Sequence, residues 1–277
     1  MTQRPVSVCI ITRNEAHNLP RCLDSVSFAD DVVVLDCGST DETVSLARQR
    51  GARVYVEEFR GHVRQKQRAV ELAAHDWILA LDADEELSSP LAEEVQRVLA
   101  ADGSGPSAYA LPRRTFAMGG FVEHGGWWPE WRTRLFDRRQ AHWTGRDPHD
   151  RVEVREGEVA RLSGPLHHYN YRDLRHHLEK VNAYTSTMAE GLADEGRRFR
   201  LGDLVFRPAG RFVRMYLLRQ GFRDGLRGFA LAVIGAFYVF LKYLKLWERE
   251  RGLQDDASPE PEAINPSPEP EAINPSE

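Results

Sequence analysis

The sequence predicts an α/β domain on a mostly parallel sheet, followed by a helical, membrane-associating C-terminal extension. Three observations predict it. Apolar runs of strand length alternate with helix-like stretches across residues 6–83, polar clusters close several of those runs, and a basic, aromatic-rich segment from Arg207 leads into a long apolar run.

VSVCIIT (6–12) is an apolar run of buried-strand type, and HNLPRCLDSV (17–26) follows as a helix. DDVVVLDC (30–37) is the second strand; STDETVSLARQR (39–50) is a helix with Ser39 or Thr40 as its cap and acids in its first turn. ARVYVEE (52–58) is the third strand, HVRQKQRAVELAA (62–74) a helix and DWILALDA (76–83) a fourth strand. Such alternation implies right-handed crossovers and a parallel sheet. Ligands of such sheets bind outside the carboxyl ends of the strands. There the residues from Thr12 to Glu15, Asp36, and Asp82 with Asp84 should converge.

Beyond Gly103 to Pro106 the character changes. Residues 108–160 are rich in aromatic, histidine and arginine side chains, with strands expected near 108–112 and 132–136, and read as an acceptor-side subregion that completes the site. A long helix is expected at about 172–195. Arginines 207, 211, 214, 219, 223 and 227 then precede FALAVIGAFYVFL (229–241), which Lys242 and Lys245 close. Thirteen apolar residues are fewer than the roughly 18 to 20 that cross a bilayer, so the segment is expected to lie in the interface. Its arginines are interleaved with apolar side chains, which favours anionic lipid over nucleic acid. An exposed apolar surface there could also pair copies of the chain. The expected organisation is 1–106, 107–170 and 171–254, with a tail at 255–277 where SPEPEAINP occurs twice and cannot form a packed core.

Composition bounds the class. The chain has 277 residues, 42% of them hydrophobic, enough for a sizeable core. The net charge of -5 hides a mildly basic body, because residues 255–277 hold seven acids and no base. Three cysteines within the first forty residues, without metal-ligand spacing, argue for free thiols in a reducing compartment. The N-terminal stretch lacks the pattern of a signal peptide, so a cytoplasmic location is expected.

The chemistry-bearing candidates are acidic. Asp82 and Asp84 flank Ala83 and would point the same way in an extended strand, where they could hold a hard divalent cation beside phosphate oxygens. The plainer alternative is that residues 84–86 cap a helix or face solvent. Asp36 in DCGSTD is suited to an Asx-type turn or to accepting hydrogen bonds from a nucleotide. His167 and His168 could supply a metal ligand or be partly buried polar residues; His124 and His149 sit in arginine-rich surroundings that could meet phosphate. Asp150, Asp147 and Glu130 are candidate general bases that charge pattern alone does not rank. The dinucleotide fingerprint, the P-loop, the zinc-protease H-E-x-x-H and the G-x-S-x-G elbow are all missing from the sequence.

SVCIITRNEAHNLPRCLDSV, VVVLDCGSTDETVSLARQRGA, VRQKQRAVELA and DWILALDADEEL together resemble a family 2 glycosyltransferase with the nucleotide-sugar-binding GT-A fold. HGGWWPEWRTRLF, HHYNYRDLRHHLEKVNAYTS and GFRDGLRGFALAVIGAFYVFLKYLKLWE resemble the lipopolysaccharide inner-core glucosyltransferase group labelled WaaE or KdtX. The resemblance implies that Thr12, Asn14 and Glu15 line the nucleotide pocket, that Asp36 bonds the uracil or ribose, and that Lys66 faces the diphosphate. It also implies that Asp82 and Asp84 form the D-x-D, with Asp84 the direct ligand of Mg²⁺ or Mn²⁺ and His168 completing the metal or phosphate contacts. The general base would be Asp150, in a PHD where VHE is common, with Glu130 of WWPE as the alternative. The implied reaction is inverting transfer from a UDP-sugar, UDP-glucose above all, to a membrane-anchored glycan acceptor on an anionic membrane surface. A different acceptor, or a nucleotide-sugar-binding protein without turnover, is the alternative.

Overall fold

The computed structural model describes residues 4–101, 105–146 and 149–253. These fall into two compact units, one of residues 4–114 and 129–169, the other of residues 115–128 and 170–253.

In the first unit β1 (Val6–Thr12), β2 (Asp31–Asp36), β3 (Arg53–Val56) and β4 (Trp77–Asp82) pair in parallel in the order β3-β2-β1-β4. Every residue of β1 and β4 is buried, as befits parallel strands covered on both faces. Alternate side chains go to opposite sides. Val8, Ile10, Leu79 and Leu81 join Leu91, Val95 and Leu99 of α4 (Ser89–Ala100); Cys9, Ile11, Ile78 and Ala80 join Ala69 and Val70 of α3 (His62–Glu71). Beyond β4 the sheet turns antiparallel through β8 (Glu130–Asp137) and β6 (Ala108–Ala117), and continues to β12 (Leu166–His168) and β5 (Glu85–Leu87). β9 (Ala141–Arg146) and β10 (His149–Val154) form a separate hairpin, and β11 (Val159–Arg161) runs parallel to β6.

The expected strands and helices of the first 83 residues are present, including α1 (Leu19–Ser25), but one cap differs. α2 (Thr43–Gln49) starts after Ser39 and Thr40. Ser39 instead donates to Asp36, and the Thr40 amide to Asn14 Oδ1 at 2.8 Å, so both residues close a loop and neither caps the helix. The sequence reading left α4 unassigned, although Ser88 accepts the Leu91 amide as its cap and Pro90 sits in its first turn. Residues 84–86, for which a helix cap or a solvent-facing stretch is the plainer alternative in the sequence, lead into β5 (Glu85–Leu87), where Glu85 and Leu87 are buried. Its antiparallel register sets His168 opposite Glu85.

The second unit contains β7 (Gly120–Phe121), which pairs with the end of β6, and three helices: α5 (Leu174–Asp194), α6 (Leu201–Val213) and α7 (Gly225–Glu250). Asp173 caps α5 through the His176 amide. Between α6 and α7 the chain passes through a π turn at 214–218 and a 3₁₀ turn at 221–224, then reverses. Glycine permits the close crossing: a Cβ at Gly228 would stand 1.8 Å from the Gly221 carbonyl oxygen. Trp127, Tyr171, Met215, Leu231 and Ala232 form the core of this unit. The apolar run is expected to be too short to span a membrane, but the helix that contains it is not. α7 has 26 residues and is long and apolar enough to cross a bilayer, because the helix extends past both ends of the apolar run. The Lys245 ammonium bonds Asn182 and Ser186 of α5.

Candidate active site

The strand ends of the first unit carry two kinds of polar structure. At the ends of β1 and β2, Thr12 pairs in register with Asp36. Asp36 Oδ1 accepts the amides of Gly38 and Ser39 at 3.0 and 2.9 Å, and Oδ2 the Ser39 hydroxyl, so its side chain forms the Asx-type turn. Asn14 is left-handed, at φ 54, and its amide donates to Ser39 Oγ. The Glu15 amide donates to Thr43 Oγ1, and Glu15 Oε2 accepts from Asn18 Nδ2. Thr12 Oγ1 is buried and has no hydrogen-bond partner. The result is a pre-set rim of interlocked loops.

The second structure is a buried charge network. Lys66, projecting from α3, lies 2.8 Å from both Asp82 Oδ1 and Asp150 Oδ2. Its ammonium thereby bridges two carboxylates. Arg134 Nη2 meets Asp82 Oδ2 at 2.5 Å and Glu85 Oε1 at 2.7 Å. Arg113 bonds Glu130 Oε2 at 2.7 Å and approaches Glu85, while Arg132 closes on Glu130 Oε1 at 2.5 Å. Four acids therefore meet four bases. Burial alone would raise the carboxyl pKa values. The Arg134 and Lys66 charges outweigh it at Asp82 and hold that group well below its ordinary value. Asp150 is likewise lowered against its burial, chiefly by Lys66, and Glu130 by Arg113 and Arg132.

Asp84 and His168 form a further buried pair. Asp84 follows β4 and His168 ends β12, and the β5–β12 pairing brings Asp84 Oδ2 to 3.4 Å from His168 Nε2. His168 is 1% exposed, yet neither ring nitrogen has a hydrogen-bond partner. Buried polar atoms are almost always bonded, so an orphaned imidazole beside a carboxylate has the donor set and the unmet need of a cation site. Among the described residues no three histidine, cysteine or acidic side chains converge as ligands. Asp84 and His168 are the two side chains here that could hold a divalent cation. Asp82, expected as a further ligand, has both oxygens engaged by Lys66 and Arg134.

The two candidate bases also separate. Both Glu130 oxygens are bridged by arginines, whereas Asp150 Oδ1 is buried without a partner. His167 faces Glu86 at 3.8 Å, and His124, in the second unit, pairs with Asp224. Asp147 and Pro148 lie outside the described residues, and His149 is placed only by the backbone of β10. Sequence reasoning missed Arg113, Arg132, Arg134 and Glu85. A signal existed: Arg132 and Arg134 alternate in RTRLF, and charged side chains repeated on an apolar strand require buried partners.

The family described as Glycosyl transferase family 2 matches residues 7–155. An uncharacterized glycosyltransferase of Rickettsia felis is 32% identical over 263 residues, covering 88% of this chain and 89% of that one. The lipopolysaccharide core biosynthesis glycosyltransferase LpsC of Rhizobium meliloti is 31% identical over 257 residues, covering 88% and 93%. A solved glucosyl-3-phosphoglycerate synthase of Mycobacterium tuberculosis, in complex with Mn²⁺, UDP-glucose and phosphoglyceric acid, is 26% identical over 40% of this chain and 44% of that one, with a TM-score of 0.34. The matched span runs from β1 through β10 and includes both D-x-D aspartates, Lys66, Glu130 and Asp150. The chain belongs to glycosyltransferase family 2.

Proposed function

We propose that the first unit moves a hexose, glucose from UDP-glucose in the first instance, onto a lipopolysaccharide inner-core heptose or a similar membrane-anchored glycan, with inversion. The observation that carries this is the buried Asp84–His168 pair with its unbonded imidazole. The name of the LpsC relative supports the acceptor class. The setting is the cytoplasmic face of a bacterial inner membrane, with the enzyme held peripherally.

Asp150 is the base. Its Oδ1 takes the proton of the acceptor hydroxyl as that oxygen bonds the anomeric carbon; the bond from that carbon to the diphosphate breaks, and the electron pair leaves with UDP. Lys66 keeps the carboxylate ionised and fixes Oδ2. Because the leaving group is already activated, no protonating acid is required. Glu130 positions Arg113 and Arg132, and Asp82 positions Lys66 and Arg134. The rim formed by Thr12, Asn14, Glu15 and Asp36 receives the uridine. When bound, the divalent cation neutralises charge on the departing diphosphate.

Calorimetric titration with UDP and UDP-glucose, each with Mn²⁺ and with EDTA, tests this reading. Metal-dependent binding that weakens about tenfold or more in Asp84→Ala and His168→Ala is expected. Equal binding in EDTA by well-folded protein would remove the cation site. UDP binding without transfer to any membrane-anchored glycan would leave a nucleotide-sugar-binding protein.

A further inference from the structure

The turn between α6 and α7 presents an unusual surface. Leu218, Phe222 and Leu226 are 74%, 49% and 81% exposed, and Arg219, Arg223 and Arg227 are exposed between and beside them. Among the described residues none of these arginines pairs with a carboxylate; Arg223 reaches only the side-chain oxygen of Gln220, at 2.8 Å. Asp224, the one acid of the turn, is engaged elsewhere. Its Oδ2 accepts the amides of Glu123 and His124, and its Oδ1 lies 2.8 Å from His124 Nδ1. That lock ties the turn to the glycine-rich loop at 119–126, and the loop backs two of the guanidinium groups. A Cβ at Gly120 would stand 2.2 Å from Arg227 Nη1, and one at Gly126 would stand 3.4 Å from Arg219 Nη1.

The surface continues along α6. No residue of α6 is buried, and Leu201, Val205, Phe206 and Val213 are all exposed. Large exposed apolar patches mark interaction surfaces. The charge selects the partner: residues 197–253 hold thirteen basic side chains and four acidic ones. Long arginine stems crossing an apolar surface, with their heads unpaired, suit the boundary between acyl chains and phosphates.

We propose that the 217–227 turn and the outward face of α6 form a lipid-interface site that takes the phosphate-bearing headgroups of an anionic bilayer. Leu218, Phe222 and Leu226 enter the acyl boundary, and Arg219, Arg223 and Arg227 meet phosphates. This site deepens the membrane-held part of the proposed function and rests on that reading only for the location of the acceptor.

The full chain is tested by co-sedimentation with vesicles of phosphatidylcholine, alone and mixed with phosphatidylglycerol, while UDP binding is measured on the same preparations. Binding to the anionic vesicles alone is expected. It should fall about a hundredfold when Arg219, Arg223 and Arg227 all become Gln, and weaken again in Leu218→Ser with Leu226→Ser, with UDP binding unchanged in both variants. Equal binding to both vesicle types, or a triple variant that binds like the parent, overturns the site. Displacement by inorganic phosphate would show a soluble-phosphate site and also overturns it. Retention in bacterial membranes after alkaline carbonate washing would show that α7 crosses the bilayer, with the same consequence. Loss of UDP binding by the parent chain, with vesicle binding intact, would strike the transferase reading alone.

Discussion

Arginine has opposite roles in the two units. In the first, Arg113 and Arg134 are 1% and 3% exposed and each meets carboxylates at hydrogen-bond distance. In the second, Arg219, Arg223 and Arg227 are exposed and meet none among the described residues. A buried guanidinium must be neutralised, so each one in the first unit restrains several other residues. An exposed guanidinium is already solvated and contributes little to stability, which leaves it available to an external phosphate. The buried set shapes a site, and the exposed set can be changed without disturbing the fold.

The largest expected effect tests the buried half of this contrast. Arg134→Met leaves Asp82 and Glu85 with an unbalanced charge in the interior and should lower unfolding free energy by about 3–5 kcal/mol in denaturant titration. A loss below about 1 kcal/mol would mean that water reaches the network.

Acid should separate the units. Burial, with help from Lys180, holds the pKa of His177 down to about 4 from 6.5, so the folded second unit keeps this imidazole neutral. The unfolded chain takes up a proton as pH falls from 6.5 toward 4, which removes at most about 3 kcal/mol over that window. Asp82, Asp150 and Glu130 are shifted down instead, so their contribution persists above their ordinary carboxylate values and is lost only in stronger acid. Chemical denaturation across pH should show the second unit weakening first, and His177→Phe should flatten its slope while keeping the stack on Tyr171.

Lys66→Met sharpens the link between network and chemistry. Without the ammonium the Asp150 carboxyl should titrate higher, carrying the acid limb of the transfer rate up with it. An unmoved limb would assign the base elsewhere. The smallest effect belongs to the exposed set: changing Arg219, Arg223 and Arg227 together to Gln should alter stability by no more than about 0.5 kcal/mol, read from the same denaturant curves.

Much of the first unit was legible because local rules agreed. Apolar runs such as VSVCIIT and WILALD bury both faces of a parallel strand, and the D-x-D stands where such a strand must open. The short strands β5 and β12 were not legible, since three residues carry too little periodicity to be read. That gap matters, because their pairing is what seats His168 beside Asp84. The cap of α2 was misplaced for a related reason: Ser39 and Thr40 have the chemistry of caps, but Asp36 and Asn14, on other segments, claimed their donors.

By itself the sequence determined the residue types present, the periods that make them strands or helices, and hence the parallel half of the sheet with its acidic edge. Only the tertiary structure decided which charges became partners. Lys66 and Arg134, 16 residues before Asp82 and 52 after it, arrive at its two oxygens. Pairing across such separations depends on sheet register and helix placement, and an ionic bond once buried excludes the alternatives that a list of charged residues leaves open.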